Sequence, residues 1–207
     1  GGHAIVDVNG KFGGKDLISF KLDSEPDRDK FVLSLLYDAP KDGVIAKLAG
    51  AKKDIKAHVF GRGGWSHWDG LAYATQDGER LAAFQLGKQA NTYRLAGQAW
   101  PDGLVAGMPG RAIGSALSVL YDGTFLDNAF DGRFRVAGEA FKVAASGKLD
   151  LVDNEAEALK VRALLLRPER IVATPQLANV VLDATLDGPL SNLSIDHVVT
   201  IGRLRLG

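Results

Sequence analysis

The chain has 207 residues, 25 basic and 25 acidic side chains, and a hydrophobic content of 46%. Zero net charge without a basic stripe argues against a nucleic-acid binder, whose affinity would rest on excess Lys and Arg against phosphate. The composition is that of a folding chain; the absence of cysteine excludes disulfides and thiolate metal sites, and no apolar run nears the roughly 20 residues that span a bilayer.

In chain order the reading is almost all strand. Residues 4–8 make a short strand that Asn9 and Gly10 should close as a hairpin. Ile18, Phe20 and Leu22 then alternate with polar neighbours, and a charged loop follows over 23–29. Residues 31–37 form a strand apolar enough to be covered on both faces. The period changes over 42–50, where Asp42 and Gly50 are the expected caps of a short helix. Strands return over 55–60, 71–75, 81–86 and 93–99, with turns at Asp77-Gly78 and near Asn91. A second short helix is expected over 102–108, then a strand over 117–121 with a turn at Asp122-Gly123. The two insertions match at an offset of 60 residues, Leu35, Ala39, Ala46 and Val59 against Leu95, Ala99, Ala106 and Val119. Repeat units near 30–90 and 91–150 follow from this match.

From 131 to 207 the pattern is a regular meander. Phe134 and Val136, then Phe141, Val143 and Leu149, then Leu159 and Val161, each hold one side of an alternating strand. Val180, Leu182 and Leu186 do the same until Asp187, Gly188 and Pro189 break the strand, and Ile195 and Val199 continue beyond. Successive strands without crossover helices must be antiparallel. About a dozen strands at ~4.8 Å spacing exceed an ordinary compact domain unless the sheet curls. Periodicity alone leaves an open curved sheet and a closed sandwich equally available.

No catalytic or metal constellation stands out. Gly10 to Lys15 has the wrong spacing for a phosphate loop, with Asp16 where Ser or Thr would bind magnesium. Asp23, Glu25, Asp27 and Asp29 alternate as a calcium loop would, but Arg28 and Ser34 occupy its required glycine and glutamate positions. His58 and His67 lack a third ligand, and Ser66-His67 and Ser194, Asp196, His197 supply triad residue types without a nucleophile elbow. Trp65, Trp68 and Trp100 could stack on a sugar. The expectation is no enzyme, no cofactor, no metal and no nucleic acid.

The run from Leu186 to Asp196, the segments Phe130 to Phe134 and Ala144 to Leu151, and the earlier Ala39 to Ala46 with Gly50 to Asp54 together resemble the TamB family. This family is the inner-membrane component of the bacterial translocation and assembly module, within the AsmA-like superfamily, and the likeness is closest to alphaproteobacterial forms. The resemblance covers nearly the whole chain as an internal fragment, one continuous segment over 1–207. It implies an all-β fold, a long antiparallel sheet rolled into an open apolar groove with two short helical insertions. It also implies a periplasmic conduit that shields phospholipid acyl chains between inner and outer membranes and assists outer-membrane protein assembly. The N-terminal inner-membrane anchor, and the region meeting a TamA-like outer-membrane barrel, would lie outside this sequence. The expected acyl-chain lining is Phe134, Val136, Phe141, Val143, Leu149, Leu159, Val161, Val180, Leu182, Leu186, Ile195 and Val199. The alternatives are a structural or adhesive β-repeat module, with carbohydrate on Trp65 and Trp68, and an enzyme built from scattered residues.

Overall fold

The computed structural model describes residues 2–48, 50–101, 104–126, 128–171 and 177–204, and of residues 48, 177, 178, 203 and 204 the backbone alone. The first strands are β1 (Ala4–Phe12), β2 (Asp16–Glu25) and β3 (Lys30–Ala39), followed by helix α1 (Val44–Leu48). Next come β4 (Ile55–Gly63), β5 (His67–Gln76), β6 (Glu79–Gln89) and β7 (Thr92–Ala99), then helix α2 (Gly107–Ile113). The chain ends with β8 (Leu117–Leu126), β9 (Ala129–Ala137), β10 (Phe141–Asp150), β11 (Glu155–Leu165), β12 (Leu177–Pro189) and β13 (Ser194–Leu204).

The strands form one 13-stranded sheet in strict sequence order, with β1 and β13 at its edges, so it is not closed into a barrel. The ladders are antiparallel. The all-β antiparallel class with two short helical insertions is therefore as the sequence indicates. The chain packs as two compact units, residues 1–90 with 95–105, and residues 91–94 with 106–207.

Turn chemistry explains most differences from the sequence reading. Asp77 and Gly78 turn, with φ of 53° and 83°. Asn9 and Gly10 do not: β1 runs through them to Phe12, and Gly13 and Gly14, φ 56° and 82°, make the turn instead. Asp122 and Gly123 lie inside β8, which continues to Leu126. Asp187, Gly188 and Pro189 lie inside β12. There the Asp187 carboxylate accepts the N–H of Ala158, an extra residue that shifts the β11 register. Strand β3 is not covered on both faces, since Val32 and Leu36 are exposed.

Both helices sit between strands, after β3 and after β7, but their starts are 63 residues apart rather than the 60 of the sequence match. Helix α1 is shorter than 42–50, and Asp42 does not cap it but pairs with Lys15. The cap comes from the fully buried Asp16, 28 residues away: its carboxylate accepts the N–H groups of Val44 and Ile45, both at 3.1 Å, and the Tyr37 hydroxyl at 2.9 Å. Gly50 does close the helix. It has φ 68°, and the N–H groups of Gly50 and Ala51 return to the carbonyls of Lys47 and Ala46. The second helix is displaced from 102–108 to Gly107–Ile113, with 102 and 103 outside the described residues. Its N-cap, Ala106, is extended, and Gly114 ends it. Glu139 accepts the N–H of Ser115 at 2.9 Å and pairs with Arg167 and Arg170, fastening the helix exit.

Among the described residues the buried apolar side chains are mostly alanines at strand ends and under the helices. Ala39, Ala46, Ala51 and Ile55 cluster below α1, and Ala112, Ala129, Ala140 and Ala156 are buried in the second unit. The largest side chain that is fully buried among the described residues is Asp16.

Burial pushes the Asp16 carboxyl up, but the three donated hydrogen bonds outweigh it and hold the pKa below the ordinary carboxylate value. A depressed carboxylate stabilises the fold above its unfolded pKa, and this contribution is lost as pH falls through the folded value. Amide exchange at Val44 and Ile45 is therefore expected to stay slow at neutral pH and to accelerate, relative to strand amides, only below the ordinary Asp range. A Cβ on Gly43 would stand 1.8 Å from Asp16 Oδ1. Gly43→Ala is expected to release the same two amides at neutral pH.

Candidate functional site: an apolar sheet face

In a ladder, directly paired residues share a face, so the register lets each face be read across the strands. In the first unit one row runs Val8, Phe20, Leu35, Val59, Ala72, Phe84. In the second unit the corresponding row is Val119, Val136, Val143, Ala163, Leu182, Val199. Beside it run Phe141, Leu165, Val180 and Ile201, and Phe134, Ala145, Val161, Ala184 and His197. Leu159, Leu186 and Ile195 form a further row, and Leu149 pairs with Phe130 and Ala156. All twelve lining candidates therefore share one face. Among the described side chains at paired positions of β8 to β13, this face has no Asp, Glu, Lys or Arg.

The opposite face is charged and cross-linked by exposed ion pairs. Lys21 meets Asp7 at 3.5 Å and Lys56 meets Asp38 at 3.1 Å in the first unit. In the second, Arg94 meets Asp122 at 2.9 Å and Lys148 meets Glu157 at 2.5 Å. Such pairs are worth about 0–1 kcal/mol each, so they keep this face in water rather than hold the fold.

None of the twelve apolar candidates is buried. Phe134 is 42% exposed, Ile195 54% and Val199 52%. A sandwich core would have buried these side chains under a second sheet, and all the strands belong to a single sheet. The twelve candidates therefore do not form a closed sandwich core. The chain's own described residues cover this face only in part, nine of the twelve being half-buried and Phe134, Ile195 and Val199 exposed.

Glycines bend the second unit toward this face. Gly123, Gly132 and Gly147 form a row across β8, β9 and β10. A Cβ on Gly132 would stand 2.6 Å from the Gly123 Cα, and one on Gly123 would stand 2.5 Å from the Asp131 carbonyl oxygen. Neighbouring backbones thus close on one another on the apolar side, an approach only glycine permits. Alternation put these residues on the strands, but the row appears only once register is known.

The other candidate sites separate. His197 lies on the apolar face opposite Ala184, whereas Asp196 pairs with Thr185 on the polar face, so these two cannot form a triad. His58 pairs with Tyr73, which lies six residues from His67 along β5, about 20 Å in an extended strand. No group of three metal-binding side chains occurs among the described residues. His58 instead bridges Ser34 Oγ and Tyr73 Oη, each at 3.0 Å. These side chains stand on β3, β4 and β5, which are paired on both sides, so the backbone N–H groups near Ser34 are committed to ladders and offer no oxyanion hole. The expected 23–29 loop is shorter, since β2 runs to Glu25, and its four acidic residues disperse, Asp23 to His3, Glu25 to Arg28, Asp27 to the Gly2 N–H and Asp29 to the Trp65 N–H. Trp65 packs on Phe31 with centroids 4.9 Å apart, and Arg80 lies over Trp100.

No family model, curated protein or solved structure matches this chain.

Gly132→Ala is expected to lower unfolding stability by about 1–3 kcal/mol, the usual cost of forcing extra atoms into a closed contact. Gly10→Ala should be close to neutral, because its Cβ would meet only Ile18 Cγ2 at 3.7 Å. Urea denaturation of the two variants checks the contrast.

Proposed function

We propose that the apolar face holds phospholipid acyl chains, and that the chain is a segment of a TamB-like periplasmic conduit carrying phospholipid between inner and outer membranes. The observation that carries this reading is a sheet charged on one face, without formal charge on the other among the described side chains at paired positions of β8 to β13, and with none of the twelve lining candidates buried on the apolar side. An unburied apolar surface of this extent is unfavourable in water unless something covers it. Each acyl methylene laid against it recovers ~0.8 kcal/mol, so about ten methylenes supply about 8 kcal/mol without any directional contact. The row of Val119, Val136, Val143, Ala163, Leu182 and Val199 gives a chain a path across six strands with no polar group to desolvate.

The resemblance in the meander supports the same reading and supplies its setting. The segment would work in the periplasm, anchored in the inner membrane and joined to a TamA-like barrel through regions beyond this sequence. Support for outer-membrane protein assembly belongs to the same proposal. No step of it is enzymatic.

Native mass spectrometry of the chain incubated with phospholipid vesicles, with released molecules identified by mass, tests the reading. Bound phospholipid at defined stoichiometry is the expected result. Val143→Asp and Leu182→Arg each put a charge into the central row and should abolish that occupancy while leaving the far-ultraviolet circular dichroism of the sheet unchanged. Lipid retained by either variant, or a bare mass for the unaltered chain, would contradict the proposal.

A further inference from the structure

The polar face of the second unit contains a hollow of about 550 Å³. Its floor is Ala144 and Ser146 of β10, and its walls are Arg133 and Arg135 of β9 and Lys160 and Arg162 of β11. Register fixes this arrangement. Arg135, Ala144 and Arg162 lie opposite one another in one row, and Arg133, Ser146 and Lys160 in the next. The cation-bearing strands are therefore two strand spacings apart, about 10 Å, with only a methyl and a hydroxymethyl between them.

Four cations around so small a floor repel one another unless negative charge is supplied. The protein supplies part of it. Arg133 reaches Asp122 at 3.8 Å and Arg162 reaches Asp183 at 3.5 Å. Arg135 and Lys160 have no ion pair among the described residues. In a chain whose formal charges sum to zero, this local excess stands out.

We infer that this hollow binds a single phosphate group. A guanidinium from Arg135 offers a planar fork of N–H donors, Lys160 a mobile ammonium, and Ser146 a hydroxyl from below, a donor set suited to a tetrahedral oxyanion. Asp183 and Asp196 line the far side of the hollow. They repel a polyphosphate that would extend toward β13, which restricts the ligand to one phosphate. The site lies on the face opposite the apolar rows and does not depend on acyl chains being bound there. The phosphate could belong to a soluble ester or to a lipid headgroup at a membrane surface.

Amide chemical-shift titration of the full chain with inorganic phosphate tests the site. Saturable shifts at Ser146 and Lys160 are expected, and the double variant Arg135→Gln with Lys160→Gln should bind about tenfold more weakly. Lys11→Gln, in the other unit, should leave the titration unchanged. Absence of saturable shifts, or equal affinity in the double variant, would overturn the inference. Co-sedimentation with phosphatidic acid vesicles, lost in the double variant, would identify a headgroup as the source. Phosphate binding without co-sedimentation would identify a soluble ester.

Discussion

Every feature of this structure depends on the two-residue period of the strands staying in phase from one ladder to the next. A slip of one residue would move a strand's entire apolar set onto the charged face. Where the sequence itself is out of phase, the backbone corrects it. Ala156 and Leu159 are three residues apart, an odd spacing that would put them on opposite faces; the extra residue Ala158, with φ 47°, restores both to the apolar side. The register shift beside Ala74 works likewise, leaving Leu81 to pack against the small alanine cluster. The first of these corrections keeps β11 in phase with the described apolar face of β8 to β13.

The same constraint decides where burial can occur. Along the sheet most large apolar side chains remain partly exposed, Ile55 being buried, and the other sealed apolar residues are alanines at strand ends and under the helices. The helices do the sealing, each tied by a carboxylate distant in sequence, Asp16 at the start of α1 and Glu139 at the exit of α2. Tyr37 shares in the first tie, where burial and then the neighbouring Asp16 hold its hydroxyl protonated beyond the ordinary tyrosine range. Burial is thus concentrated at the strand ends and under the helices, and the middle of the apolar face stays partly exposed.

Strand existence, antiparallel order and the common face of residues such as Val143 and Leu182 were legible in the sequence, because each rests on local alternation. Turn positions were less so. Asn9-Gly10, Asp122-Gly123 and Asp77-Gly78 look alike as dipeptides, yet only the last turns the chain, since glycine also marks close backbone approach inside a sheet. The cap of α1 was hidden for a different reason: Asp42 is the local candidate, whereas the working carboxylate, Asp16, reaches the helix only through tertiary contact. The glycine row and the cation-walled hollow are products of register, which pairs residues far apart in sequence.

The functional account rests on the two faces being used differently by lipid, and adjacent residues offer a direct comparison. Val143 and Lys142, like Leu182 and Asp183, are neighbours in the chain but point to opposite sides of the sheet. A photo-reactive side chain introduced singly at each of the four positions, followed by irradiation with labelled phospholipid, reads which side an acyl chain touches. Adducts at 143 and 182 with little at 142 and 183 are the expected outcome. Equal labelling on both faces, or none at 143 and 182, would contradict an acyl chain lying on the apolar face.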